Sequence, residues 1–180
     1  MDPEARRRRR PGISLVGGLL ALMLGWGASQ ARAADDPGAP WAAALRRVDD
    51  ALTRREFGVA LKAANEGYAA ALASPRWDGM IAVGAAYRRI GGATGLHQSF
   101  DAKAREVYLK ALTRARQQAS VDGVLEAGEG FVAIGDTVAA GQCVRIADRL
   151  AGRDPDARAD VRAFAARLTD PSLAAPPVRP

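Results

Sequence analysis

The strongest constraint on the fold is a repeat inside the chain. Asp78–Gly91 (DGMIAVGAAYRRIG) and Asp122–Gly135 (DGVLEAGEGFVAIG) align at an offset of 44, with Asp78/Asp122, Gly79/Gly123, Gly84/Gly128, Ile90/Ile134 and Gly91/Gly135 identical. Met80/Val124, Ile81/Leu125 and Tyr87/Phe131 keep their character. Two unrelated amphipathic helices have no reason to share a start, a stop and an internal glycine. The chain is therefore expected to repeat one supersecondary unit that buries its apolar face against its neighbours. The stretches that follow also match, at an offset of 36: Ala104, Tyr108 and Ala111 fall on Ala140, Val144 and Ala147. The two offsets differ by eight residues, an insertion expected in the turn Gly92–Gln98 (GATGLHQ). A helical hairpin can lengthen there without disturbing either helix.

From Trp41 to Leu168 almost every stretch has helical period and is rich in alanine, leucine and arginine, all good helix formers. Nothing alternates at period two with β-branched residues, so the expected class is all-α. The spacing predicts helices over 41–53, 55–73, 76–90, 100–118, 121–134, 137–151 and 155–168. Start signals support these boundaries. Thr53 with Glu56 reads as a capping box, Ser74-Pro75 and Asp154-Pro155 as a cap before a first-turn proline, and Ser99 and Ser120 precede the other runs. The tail from Asp170 to Pro180 has four prolines and no period, and is expected to be disordered, as is Asp35–Pro40.

The repeated residues also carry a family resemblance. In the third unit Gly128, Phe131, Gly135-Asp136, Ala140 and Ala147 give a small residue, an aromatic, a Gly-Asp turn and two alanines on the next helix. Small residues at Gly128, Ala140 and Ala147 let antiparallel backbones approach, while Phe131 fills the space beside them. This unit resembles a tetratricopeptide repeat. The second unit resembles it through Gly84, Tyr87, Gly91, Ala104, Tyr108 and Ala111, around the insertion. The first unit, with Trp41, Ala44, Leu45, Val48, Phe57, Ala60 and Ala64, leaves its register open. The third unit ends on Gly152 rather than proline, and the 44-residue spacing keeps a Sel1-like or other helical-hairpin array as the alternative. Over residues 41–154 the resemblance implies an α-α superhelix of about three helical hairpins, with 155–168 as a polar-backed capping helix. It implies an interaction module whose first helices line a groove for a peptide or helix of a protein partner, without catalysis or cofactor.

The amino terminus reads as a signal peptide. Arg6–Arg10 form a basic block, Ile13–Ala28 an apolar run, and Ala31-Arg32-Ala33 a small-residue step with cleavage expected after Ala33. Uncleaved, the apolar run would serve as a membrane anchor. It is shorter than the roughly 20 residues a spanning helix needs, and Gly17, Gly18, Gly25 and Gly27 weaken it. Pro11 and Gly12 argue against a twin-arginine signal, and Cys143 as the lone cysteine argues against a lipoprotein and allows no intramolecular disulfide. The arginine-heavy, alanine-rich composition fits a GC-rich bacterial genome, so periplasm or envelope is the expected place. The domain reading is thus signal peptide 1–33, linker 34–40, helical repeat domain 41–168 and Pro-rich tail 169–180. Residues 1–33 hold six arginines against Asp2 and Glu4, or +4 of the chain's net +6. The remaining balance of +2 removes the main support for a nucleic-acid partner.

Catalytic patterns are sparse. His97 is the only histidine, no His/Cys spacing suits zinc, and Gly91-Gly92 with Gly95 lacks the strand and Gly-Lys-Ser/Thr ending of a phosphate loop. His97 is expected in the inserted turn as a solvated residue, and Asp49-Asp50 and Glu126/Glu129 as solvated charges. The resemblance places Asp78, Ile81, Ala85, Arg88 and Arg89, then Asp122, Leu125, Glu129, Val132 and Ala133, on the groove side. The candidate partner-binding residues are Asp78, Arg88, Arg89, Asp122 and Glu129, giving a basic and an acidic end. Arg88 and Arg89 could clamp a carboxylate by two-point geometry. The competing reading makes them ordinary cations favoured by a helix carboxy terminus.

Overall fold

The computed structural model describes residues 39–169, so the stretch expected to be a signal peptide and the tail beyond Thr169 lie outside the described residues. Those described form seven α-helices and no strand: α1 (Ala42–Thr53), α2 (Phe57–Ala73), α3 (Asp78–Thr94), α4 (His97–Gln117), α5 (Val121–Ala133), α6 (Thr137–Ala151) and α7 (Pro155–Thr169). The fold is an α-α superhelix: three antiparallel hairpins, α1/α2, α3/α4 and α5/α6, followed by α7.

Local chemistry explains most boundaries. Ser120 Oγ accepts from the Gly123 N–H at 3.0 Å, Asp136 Oδ1 from Ala139 at 3.0 Å, and Asp154 Oδ1 from Asp156 and Ala157 at 3.0 and 3.2 Å. Each satisfies amide donors that a helix start leaves orphaned. Three helices end in the same reverse turn. At the end of α1 the Glu56 and Arg55 N–H groups return to the Ala51 and Leu52 carbonyls, and Ser120/Ala119 and Asp136/Gly135 do likewise after α4 and α5. Such a turn puts one residue in the left-handed region. Glycine fills it at Gly135 (φ 78°), but Arg55 (φ 58°) and Ala119 (φ 50°) do so despite their Cβ atoms.

Four expected details are corrected. Thr53 and Glu56 form no capping box: Thr53 is the last residue of α1, its hydroxyl donates to the Asp49 carbonyl, and Glu56 makes no side-chain cap. The reverse turn through Arg55 has taken the residues the box would use. Pro75 lies in an extended link, with Ser74 Oγ accepting from the Arg76 N–H, and α3 begins at Asp78. Ser99 precedes no helix, because α4 starts at His97, which is half-buried rather than a solvated loop residue. The insertion is no long turn; it lengthens both helices, α3 having 17 residues against 13 in α5 and α4 having 21 against 15 in α6. Gly91 and Gly92 continue α3, and only Gly95 (φ 74°) is a turn glycine.

The first helices α1, α3, α5 and α7 pack on one another in sequence as one layer, and each second helix packs between consecutive members of that layer. Aromatic side chains seated on glycines join the units. A Cβ on Gly79 would lie 2.7 Å from the Trp41 ring and one on Gly123 2.7 Å from the Trp77 ring. Both tryptophans are the residues immediately before a first helix, so Trp41 and Trp77 are equivalent at a spacing of 36 and settle the register of the first unit. Tyr108 of α4 enters between α3 and α5, 2.3 Å from a Cβ on Gly84 and 2.8 Å from one on Gly130, and meets Phe131 edge-on at 6.0 Å. Phe164 of α7 takes the space over Gly128, at 2.7 Å. Close packing at this density leaves no room for even one methyl group without rearrangement. Val161 and Phe164 are the buried residues of α7, whose other face carries Arg158, Asp160 and Arg162, so α7 closes the stack with a polar back.

Candidate interaction surfaces

The first-helix layer carries all five candidate residues, in different states. Asp78 is buried and held by Arg76, whose Nε donates to both carboxylate oxygens at 3.1 and 3.0 Å, while its own Oδ1 accepts from the Gly79 N–H. The same guanidinium stacks 5.3 Å from the Trp41 ring centroid. Asp78 thus belongs to the joint between the first two units. Arg89 is exposed and donates from Nε to Asp49 of α1 at 2.9 Å. Arg88 is half-buried near the Tyr108 hydroxyl, and burial raises that tyrosine's pKa against the Arg88 charge. The two arginines, adjacent in sequence, serve different partners on α1 and α4.

The acidic end lies on α5. Glu129 is half-buried and ion-paired with Arg167 of α7; its pKa is raised by burial, with Arg167 opposing the shift. Asp122 is exposed, with no ion pair among the described residues. Between them Glu126, which the sequence pattern makes a solvated charge, is half-buried and has a fully covered Oε2 without a hydrogen-bond partner. Burial, then the neighbouring charges of Asp122 and Asp78, push its carboxyl from 4.5 to about 7. Sequence reasoning missed Glu126, although its place one turn after Asp122 on the repeated helix is a visible signal. It also missed Arg76 and Arg167, which hold Asp78 and Glu129 from outside the repeated stretches.

Among the described residues the second helices part from one another and leave clefts on the opposite layer. One, of about 420 Å³, lies between α4 and α6 and is lined by Thr113, Arg116, Gln117, Ile146, Arg149 and Leu150. Another, of about 460 Å³, lies between α2 and α4 and includes Leu72, Glu106, Leu109, Lys110 and Thr113. Arg114 closes the junction: its guanidinium donates to the Ala71, Leu72 and Arg76 carbonyls at 2.8, 2.9 and 3.0 Å, capping the end of α2. Above it, the Tyr87 hydroxyl donates to Asn65 Oδ1 at 2.8 Å and Lys103 stacks on the Tyr87 ring. Burial, with Tyr68 beside it, pushes the Tyr87 hydroxyl to about 12.

Cys143 is fully buried against the Gly128 backbone, and burial followed by the Asp136 charge pushes its thiol to about 12, which makes it a packing residue. Among the described residues no group of histidine, cysteine and carboxylate side chains is arranged to hold a metal ion. No helix there is long and apolar enough to cross a membrane. No protein-family model, no curated protein and no solved structure matches the chain.

Proposed function

We propose that this protein is an exported bacterial scaffold of the tetratricopeptide type, which holds a peptide or helix of a protein partner in the periplasm or envelope and performs no catalysis. The observation that carries this reading is the layered stack. Consecutive first helices lie side by side and are locked by aromatic residues seated on glycines, so the face they share is stiff. A stiff face binds without a large ordering cost. On it, Arg88 and Arg89 offer a basic end, and Asp122 and Glu126 offer carboxylates without cations of their own. A partner segment with an acidic residue at one end and a basic residue at the other complements that order. The unmatched spacing of the units keeps a Sel1-like or other hairpin array as the alternative family.

Capture from the envelope fraction with the natively processed chain tests the reading, followed by mass spectrometry of both the partner and the bait's amino terminus. A chain beginning at Ala34 with a reproducible protein partner is the expected result. A chain that keeps Ile13–Ala28 favours the second reading, a membrane-anchored assembly factor, for which the apolar run is the specific observation. Absence of any stoichiometric partner refutes the scaffold.

A further inference from the structure

We infer that the cleft between α4 and α6 is a second recognition site, on the layer opposite the proposed groove, for a protein segment that combines acidic and apolar side chains. Arg105 pairs with Asp136 at 2.7 Å and Arg114 caps α2, so two arginines of α4 have structural work. Arg116 of α4 and Arg149 of α6 have none: neither side chain makes a hydrogen bond or ion pair among the described residues, yet both line the one cleft from facing helices. The helix dipole favours a cation in each last turn but does not require two to converge. No carboxylate lines this cleft.

The same cleft is lined by Ile146 and Leu150, half-buried and one helical turn apart, so they share a face. Thr113 and Gln117 supply hydroxyl and amide groups from the α4 side. A volume of about 420 Å³ lies within the size of ordinary ligand sites, roughly 300 to 1,000 Å³. The chemistry selects the occupant. A basic or neutral segment would desolvate two cations with no compensation, whereas carboxylates accept two-point bonds from both forks. An apolar side chain of the same segment then covers Ile146 and Leu150. A bilayer surface fits less well, because a flat headgroup layer does not enter a cleft between two helices. Thr113 also lines the α2/α4 cleft, where Leu72 and Leu109 are 47% and 38% exposed. A longer segment can therefore continue across α4.

This site does not depend on the first-helix groove, and the test separates them. The exported chain is titrated into a fluorescein-labelled peptide of repeating Glu-Leu-Leu-Glu, a matching peptide with lysine for glutamate, and phosphatidylglycerol vesicles. The acidic peptide is expected to bind and the lysine peptide not to. Arg116→Glu with Arg149→Glu should weaken binding about tenfold or more, while Arg158→Glu with Arg162→Glu, on the exposed back of α7, leaves it unchanged. Should the charge reversal disturb folding, Arg116→Gln with Arg149→Gln serves, with amide chemical shifts confirming an intact fold and peptide-induced shifts expected at Thr113, Gln117, Ile146 and Leu150. Equal binding by either cleft variant, equal binding of the lysine peptide, shifts confined to the first-helix layer, or vesicle binding through Arg116 and Arg149 without peptide binding would each overturn the proposal.

Discussion

Replacing Glu126 by glutamine should stabilise the protein at alkaline pH and leave it nearly unchanged in acid. In the folded chain the carboxyl is pushed from 4.5 to about 7, chiefly by burial and then by the charges of Asp122 and Asp78. The unfolded chain sheds this proton near 4.5 and the folded chain near 7, so between those values the unfolded state binds fewer protons. Stability accordingly falls as pH rises through that window, and the whole penalty is present above about 7. One pKa unit corresponds to about 1.4 kcal/mol, so the shift corresponds to ~3 kcal/mol. Partial exposure of Glu126 to screening solvent reduces the expected effect to about 1–2 kcal/mol. Glutamine keeps the shape, removes the charge, and can donate to a neighbouring carboxylate. Urea unfolding of both chains across pH 4 to 8 measures the effect. The glutamine variant should gain about 1–2 kcal/mol at pH 8, and the difference should shrink towards zero by pH 4 with the urea slope unchanged. An advantage that does not vary with pH, or none at pH 8, would refute the assignment of Glu126 as an uncompensated carboxylate.

Four further outcomes follow from the packing and the caps. Gly128→Leu should cost about 1–3 kcal/mol in urea unfolding by overpacking against Phe164 and Cys143; a neutral result would place the repeat alignment out of register. Arg114→Ala leaves the α2 carboxy-terminal carbonyls without their donors and should cost about 1–3 kcal/mol, measured the same way. Ala119→Gly relieves a left-handed alanine at φ 50° and should raise stability by about 0.5–1 kcal/mol, read as a higher thermal midpoint. Arg88→Glu with Arg89→Glu should leave the helical circular dichroism intact while weakening, at low salt, any partner captured through the first-helix groove.

Most of the architecture was legible because period and glycine placement carry it. Helix number and order, the small residues at Gly84 and Gly128, and the polar back of α7 all follow from patterns visible in the residues. The α3–α4 turn misled because glycines and a lone histidine resemble a loop. Gly91 is instead a packing glycine, with Phe100 2.8 Å from where its Cβ would stand, and the helix runs on to Gly95. The capping box misled because a local motif competes with a reverse turn that a non-glycine residue, Arg55, was not expected to make. Glu126 was hidden for another reason: its burial depends on α3 lying alongside α5, a contact between units that no single helix displays. Arg167 shares that property, since it reaches Glu129 of α5 from α7, whereas Arg76 acts on Asp78 from only two residues upstream. The equivalence of Trp41 and Trp77 was readable at a spacing of 36, but the strongest internal match stood at 44 and drew the alignment away from the first unit.

Trp41 and Trp77 each begin one hairpin while resting on a glycine of the next, and this arrangement removes the boundary at which the stack could come apart quietly. Severing the first hairpin from the second would strip Gly79 of its indole and expose a cavity wide enough for an aromatic ring. Neither piece has a complete interior alone. Melting should therefore spread from one hairpin to the next as a single transition, and each indole reports on the junction it spans rather than on the hairpin that encodes it. Two of the three tryptophans sit at the two seams between successive hairpins, and in a chain processed after Ala33, which loses Trp26, emission intensity follows the integrity of those seams without any added label.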